Sequence, residues 1–264
     1  GVPRPLKGTS LPFRYNRIEE LKAIVKTHGK EIACITMEPL RDNEPEDDFL
    51  QKVRAIADSI GAILIFDEVS AGFRLHCGGA HMLYGVEPDI AVFSKAISNG
   101  FPMAAILGRA SVMEAAQSSF ISSTYWTERI GPTAALATIR KHRAHNVHEH
   151  LIAMGKLVQE GWSAAAAAAG IPVHAGGMPP LSHFSFEIEE PAVAKTYFIQ
   201  EMLGRGYLAS TQFYATYAHT KEHVAAYIAA VREVFADIAA KQKDGSLKAR
   251  LKGPEAHSGF QRLT

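Results

Sequence analysis

Two pairs of residues in the first half of the chain have the types and spacing that could do chemistry. Asp67-Glu68 directly follows the apolar run Ala62-Ile63-Leu64-Ile65-Phe66, and Ser94-Lys95 directly follows Asp89-Ile90-Ala91-Val92-Phe93. Ligands of open α/β sheets sit outside the carboxyl ends of the strands, and both pairs occupy that address. Burying an ammonium at such a place is costly unless it is paired or neutralised. A desolvated lysine is also what Schiff-base chemistry needs. An acid at the end of a neighbouring strand could hold the protonated ring nitrogen of a pyridine cofactor, so the pair points to pyridoxal 5′-phosphate. Spacing alone favours the plainer alternative, a strand-end aspartate that caps its own turn and a lysine that snorkels into solvent.

These positions need a sheet to hold them. Residues 32–37 form a short apolar run that reads as a buried strand, closed by Glu38-Pro39. Before it, Asn16 is expected to cap a helix with Ile18, Leu21 and Val25 at helical spacing, closing near Gly29. A second helix is expected over 45–60, with Phe49, Val53, Ile56 and Ile60 on one face and Gly61 as its stop. The continuous, branched apolar run 62–66 is the pattern of a strand buried on both faces of a parallel sheet. Further strands are expected at 90–93 and 103–107, which together predict a doubly wound α/β layer. Helices at 132–143 and 147–169 follow. The texture then changes to strands at 171–173, 181–188 and 207–209, separated by helices at 192–205 and 221–241. We therefore expect two domains, 1–145 and a smaller α+β domain over 146–264. The alanine run 164–169 is low in complexity, but alanine is the best helix former.

Composition narrows the classes. The chain has 264 residues, 47% hydrophobic and 21% charged, which is near the globular norm. A net charge of +1 gives no electrostatic reason to expect nucleic acid or an anionic membrane as partner. No apolar run approaches the roughly 20 residues of a membrane span, and residues 1–7 do not read as a signal peptide. Two cysteines, Cys34 and Cys77, make no disulfide framework and fit a reducing compartment. The expectation is a cytoplasmic globular enzyme.

Three segments in order sharpen this reading: Asp67-Glu68-Val69-Ser70-Ala71-Gly72-Phe73-Arg74, Gly85-Val86-Glu87-Pro88-Asp89-Ile90, and Ser94-Lys95-Ala96-Ile97-Ser98-Asn99-Gly100-Phe101-Pro102. Together they resemble the core signature of class III pyridoxal-phosphate-dependent aminotransferases, most of all the glutamate-1-semialdehyde aminomutase-like branch. The resemblance runs from about Glu31 to Thr220 and takes in Glu38-Pro39 and Tyr217-Ala218-His219-Thr220. It implies an α/β type I pyridoxal-phosphate transferase fold, with part of the large, mainly parallel-sheet cofactor domain in 1–145 and the small domain in 146–264. It implies that Lys95 forms the Schiff base and shuttles the proton between substrate and cofactor. Asp67 would bond the ring nitrogen and Val69 would pack on one ring face. Thr127, five residues before Pro132, would reach the cofactor phosphate of a neighbouring subunit, although Glu128-Arg129-Ile130-Gly131 departs from the family's glycine- and asparagine-rich stretch. The implied activity moves an amino group between a small-molecule amino donor and a carbonyl acceptor, or within one substrate as an aminomutase. The implied assembly is a homodimer with shared active sites.

The family also carries an N-terminal portion with the phosphate-holding loop and an aromatic residue that stacks on the ring. No such glycine loop precedes Lys95. The chain thus reads as part of a longer enzyme, as half of a split enzyme whose partner chain supplies that loop, or as a non-catalytic homologue. Other candidates rank lower. His142, His145, His148, His150 and Glu149 raise a metal site, but their charged neighbours favour a solvated helix face. His76, Cys77 and His81 read as structural. Arg74 could end an ion pair, and Tyr125-Trp126 could line a pocket or an interface. A serine hydrolase built on Ser94 or Ser98 lacks the Gly-x-Ser-x-Gly turn.

Overall fold

The computed structural model describes residues 3–122, 124, 125 and 127–256. They divide into two compact units, 1–148 and 149–264. The first unit holds α1 (Ile18–His28), β1 (Cys34–Met37), α2 (Phe49–Ile60), β2 (Ile63–Asp67), β3 (Ile90–Phe93), β4 (Ala105–Gly108), the single turn α3 (Ala110–Met113) and α4 (Ile130–His145). Its four strands form one sheet in the order β1-β2-β3-β4. The first three run parallel, with Met37 beside Phe66 and Asp67 beside Val92, and β4 returns antiparallel to β3.

The apolar side chains explain this layer. Phe49, Leu50, Val53 and Ala57 on one face of α2 pack with Leu21 of α1 against Ile35, Leu64 and Phe66, all buried. Burying a side chain of this size contributes about 1.5–3 kcal/mol. A polar clamp adds to it, because Asp89, at the entry to β3, accepts the Leu64 N–H at 2.8 Å and pairs with Arg54 at 2.8 Å and Arg109 at 3.2 Å.

Asn16 does not cap α1, whose N-cap is Arg17. Instead Asn16 takes a left-handed backbone (φ 59°), and its side chain joins the 44–46 loop, donating to the Glu44 carbonyl at 2.9 Å and accepting from the Glu46 N–H at 3.1 Å. A side chain committed to a distant loop cannot also satisfy the first turn of its own helix.

The second unit contains α5 (Val147–Ala169, whose first two residues fall in the first unit), β5 (Val173–Gly176), β6 (Leu181–Phe186), α6 (Pro191–Gly204), β7 (Gln212–Tyr214) and α7 (Lys221–Lys243). The strands form an antiparallel sheet in the order β5-β6-β7. Its core is aromatic: Phe184 meets Trp162, Phe198 and Phe235 with ring centroids 4.8–5.5 Å apart. The strand expected at 207–209 lies instead at Gln212–Tyr214. Leu208 is 99% exposed, and the pairing of Leu181 with Tyr214 sets the register in its place.

Candidate active site

The acidic pair at the end of β2 splits into two jobs. The Glu68 side chain is fully buried and turns back toward the 79–81 segment. It accepts the Ala80 and His81 N–H groups, each at 2.9 Å, and lies 2.7 Å from His81 Nδ1. Glu68 and His81 are therefore a structural anchor. Asp67 points the other way along the alternating strand and is half-buried. Its Oδ1 accepts the Val69 N–H at 2.9 Å, which is the turn-capping role open to a strand-end aspartate. Its second oxygen accepts no hydrogen bond among the described residues.

The turn after Asp67 is pressed onto β3. The Gly72 N–H donates to the Glu68 carbonyl at 2.8 Å. A Cβ at Gly72 would stand 2.6 Å from that carbonyl oxygen and 2.8 Å from the Phe93 ring, so only glycine fits without movement. Phe73 follows with a left-handed backbone (φ 61°), and its ring centroid lies 5.6 Å from that of Phe93. Buried Ser70 sits within this turn, and its carbonyl accepts from Arg74 Nε at 2.9 Å.

Lys95 opens a one-turn 3-10 segment, Lys95–Ser98, with its own backbone left-handed at φ 50°. Such a conformation in a residue with a side chain costs of order 1–3 kcal/mol and persists only where the surroundings impose it. Here they do: Ser94 Oγ donates to the Met103 carbonyl at 2.9 Å, and buried Ser98 bonds the Phe101 carbonyl. The Lys95 side chain is exposed, not desolvated as its place behind a buried strand predicts. The chain leaves the sheet at Ser94, and among the described residues the amine has one hydrogen-bond partner, with Nζ donating to Ser70 Oγ at 2.9 Å.

Asp67 and Lys95 thus stand at the carboxyl ends of adjacent parallel strands, where the sequence places them. Val69 is half-buried and adjoins Asp67 through its N–H. Thr127 is exposed on the approach to α4, where the Glu128 carboxylate takes the Ile130 and Gly131 N–H groups. No hydrogen bond or ion pair among the described residues joins Thr127 to Asp67 or Lys95. Tyr125 is exposed, and Trp126 lies outside the described residues.

Among the histidines, His142 departs from expectation. His142 is buried, not solvated; its Nε2 donates to the Phe73 carbonyl at 2.9 Å, and its ring stacks on His148 at 5.4 Å. Burial is the main reason that its pKa falls below the ordinary value; the carbonyl bond opposes the fall, and His148 and His76 reinforce it. Helical periodicity misses this residue, because its partner lies 69 positions away. Among the described residues, no group of three histidine, cysteine or acidic side chains is arranged to hold a metal. A cavity of about 830 Å³ between residues 8–13, α1 and β1 is lined by Phe13, Leu21, Cys34 and Glu38 among others, and neither Asp67 nor Lys95 borders it.

The donor set can be tested against a pyridine aldehyde. A carboxylate with one uncommitted oxygen matches a protonated ring nitrogen. A primary amine held by one hydroxyl matches an aldehyde carbon. On those two atoms pyridoxal phosphate fits. The model of the family described as aminotransferase class-III matches residues 11–235. The chain is a class-III aminotransferase family member. It is 34% identical to a glutamate-1-semialdehyde 2,1-aminomutase of Heliobacterium modesticaldum, over 92% of this chain and 60% of that protein. It is 30% identical to a 3-aminobutyryl-CoA aminotransferase of Cloacimonas acidaminovorans, over 90% of this chain and 60% of that protein. Among solved structures it resembles the PLP internal aldimine form of the FumI protein of Sphingopyxis sp. MTA144, with TM-score 0.82 and 25% identity over 88% of this chain and 58% of that one. An omega-transaminase from Sphaerobacter thermophilus matches with TM-score 0.80 and 23% identity, over 91% of this chain and 60% of that one. The fold is therefore that of the type I pyridoxal-phosphate transaminases. This class-III chain spans about 60% of the length of the curated relatives it matches.

Proposed function

We propose that this chain carries the lysine-bearing part of a pyridoxal-phosphate-dependent aminotransferase that moves an amino group between a small-molecule amino donor and a carbonyl acceptor. The observation that carries this reading is the pairing of Asp67 and Lys95 at the ends of adjacent parallel strands, within a family match. The cofactor, when bound, supplies an electron sink for charge that develops on the substrate carbon. The chain's own residues do the rest. Lys95 Nζ would hold the cofactor covalently, with loss of water, and once the substrate amine displaces it the freed amine would take and return a proton, a role that contributes about 10²–10⁴-fold in rate. The uncommitted oxygen of Asp67 keeps the ring nitrogen protonated through a charge-assisted hydrogen bond worth about 1.5–3 kcal/mol. Val69 packs on a ring face. In a homodimer with shared sites, Thr127 serves the neighbouring subunit's phosphate, and a phosphate-holding loop comes from a further stretch of the protein or a partner chain. Two free cysteines agree with a reducing, cytoplasmic setting.

Similarity to both an aminomutase and an aminotransferase supports a second reading, in which the amino group moves within one substrate. One experiment tests the shared core of both. Pyridoxal phosphate is added, the visible absorbance is recorded, and the complex is reduced with borohydride and mapped by mass spectrometry. An adduct on Lys95 is expected; no adduct, or one confined to other lysines, overturns the assignment. Supplying amino donor with and without a separate carbonyl acceptor then distinguishes the two readings.

A further inference from the structure

We propose that Ser70 is the positioning residue for the Lys95 amine, its buried hydroxyl fixing where Nζ stands at the mouth of the sheet. The inference rests on the functional reading of Lys95 given above. Ser70 is 6% exposed while Lys95 is exposed, so the fixed member of the pair is the hydroxyl. The bond between them is 2.9 Å, and no carboxylate lies within ion-pair distance of Nζ among the described residues. Lysine has four rotatable side-chain bonds and an ammonium that water solvates well, so an untethered amine samples many positions. A hydroxyl suits the task better than a carboxylate. It accepts a hydrogen bond from the ammonium and can donate one to the neutral amine, so it keeps hold of Nζ as the proton comes and goes. A carboxylate would hold the amine in its charged, unreactive form.

The backbone makes this contact rigid. The turn that carries Ser70 is braced on Phe93 through Gly72 and Phe73, and Phe93 lies two residues before Lys95. The Ser70 carbonyl is tied to Arg74, and the 3-10 turn at Lys95 is tied at Ser94 and Ser98. Both ends of the contact are therefore set by main chain, and only the amine's own freedom is left for the hydroxyl to remove.

The test uses the full chain with Ser70→Ala, Ser70→Thr and Ser70→Asp, each checked for an unchanged melting temperature. In the first arm no cofactor is present. Trace acetic anhydride labels the amines at fixed pH, and mass spectrometry reads Lys95 against exposed Lys52 of α2. Loss of the hydroxyl in Ser70→Ala is expected to raise Lys95 labelling about twofold, Ser70→Thr to restore it, and Ser70→Asp to lower it about fivefold. In the second arm pyridoxal phosphate at limiting concentration is followed by borohydride. Ser70→Ala is expected to cut the share of adduct on Lys95 about fivefold and Ser70→Thr to restore it. A general loosening of the fold would lower the melting temperature, whereas loss of positioning moves the two readouts in opposite directions at an unchanged melting temperature. If Lys95 labelling is equal in all four proteins, the inference is overturned, whatever the cofactor arm gives. If the labelling moves as expected but the parent protein gives no adduct on Lys95, the cofactor assignment fails and the Ser70–Lys95 contact stands.

Discussion

The α-carbon of Gly72 lies so close to the Phe93 ring that a Cβ there would approach it to 2.8 Å, while also meeting the Glu68 carbonyl oxygen at 2.6 Å. Together with the Phe73 ring, 5.6 Å from that of Phe93, this contact locks the turn after Asp67 onto the strand that delivers Lys95. It explains why a glycine follows the acidic pair at that distance, and why the two candidate groups keep a fixed relation.

Gly72→Ala is accordingly expected to cost about 1–3 kcal/mol, the range for overpacking a filled site. Thermal unfolding measures that loss. Trapping with pyridoxal phosphate and borohydride at a temperature where the variant is still folded should show a weaker Lys95 adduct. An alanine variant as stable as the parent would mean that the turn relaxes freely.

Asp67 separates stability from chemistry. Among the described residues only its Oδ1 serves the fold, through the Val69 N–H, so Asp67→Ala should cost only about 0.5–1.5 kcal/mol. Asp67→Asn retains an acceptor for that N–H and should unfold like the parent. Both variants should lose cofactor retention, because neither offers a negative charge to a ring nitrogen. Equilibrium dialysis of pyridoxal phosphate beside a denaturation curve makes the comparison, and full retention in Asp67→Asn would remove Asp67 from the site.

Much of this site is legible in the sequence. The apolar runs ending at Asp67 and Phe93 announce strands, because period and branching are local properties, and β3 spans the expected 90–93. The N-cap of α1 and the place of β7 are not legible. Asn16 is claimed by a loop about thirty residues away, and β7 is fixed by its pairing with β6. The burial of His142 and the bond from Lys95 to Ser70 span 69 and 25 positions. Such contacts depend on how turns fold back on the sheet, which no local pattern encodes. Asp89 belongs to a recognised motif, yet its clamp on Arg54, Leu64 and Arg109 becomes visible only when β2 and β3 lie side by side.

The pH dependence should have two acid limbs. Burial, reinforced by His148 and His76, lowers the pKa of His142 in the fold, so the unfolded chain takes the proton more readily. Its contribution is complete above the unfolded value of about 6.5 and is lost as pH falls from there through the lower folded value. For Asp89, burial pushes the pKa up, but the Leu64 N–H, Arg54 and Arg109 outweigh it and hold the carboxyl low. That contribution is complete above the unfolded value of about 3.9 and is lost as pH falls through the folded one. Urea midpoints between pH 8 and 3 should therefore fall in both windows. His142→Gln, which can still donate to the Phe73 carbonyl, should flatten the upper one, and an unchanged profile would exclude His142 as its source.

The second unit offers a sharper steric test. In α5, a Cβ on Gly155 would stand 1.8 Å from the Pro179 carbonyl oxygen and 2.2 Å from its carbon, far inside any real contact. That same oxygen accepts from Ser182 Oγ at 2.7 Å at the start of β6, so the loop cannot retreat without pulling on the sheet. Gly155→Ala should cost about 3 kcal/mol or more, at or above the upper end of overpacking penalties. Gly204, at the last position of α6, provides the contrast, since nothing lies within 4 Å of a Cβ built there. Gly204→Ala should be neutral or gain up to about 1 kcal/mol from helix propensity. Denaturation curves followed by the fluorescence of buried Trp162 would read both changes, and equal midpoints for the two variants would show that the α5 contact with the Pro179 loop is not the constraint its geometry implies.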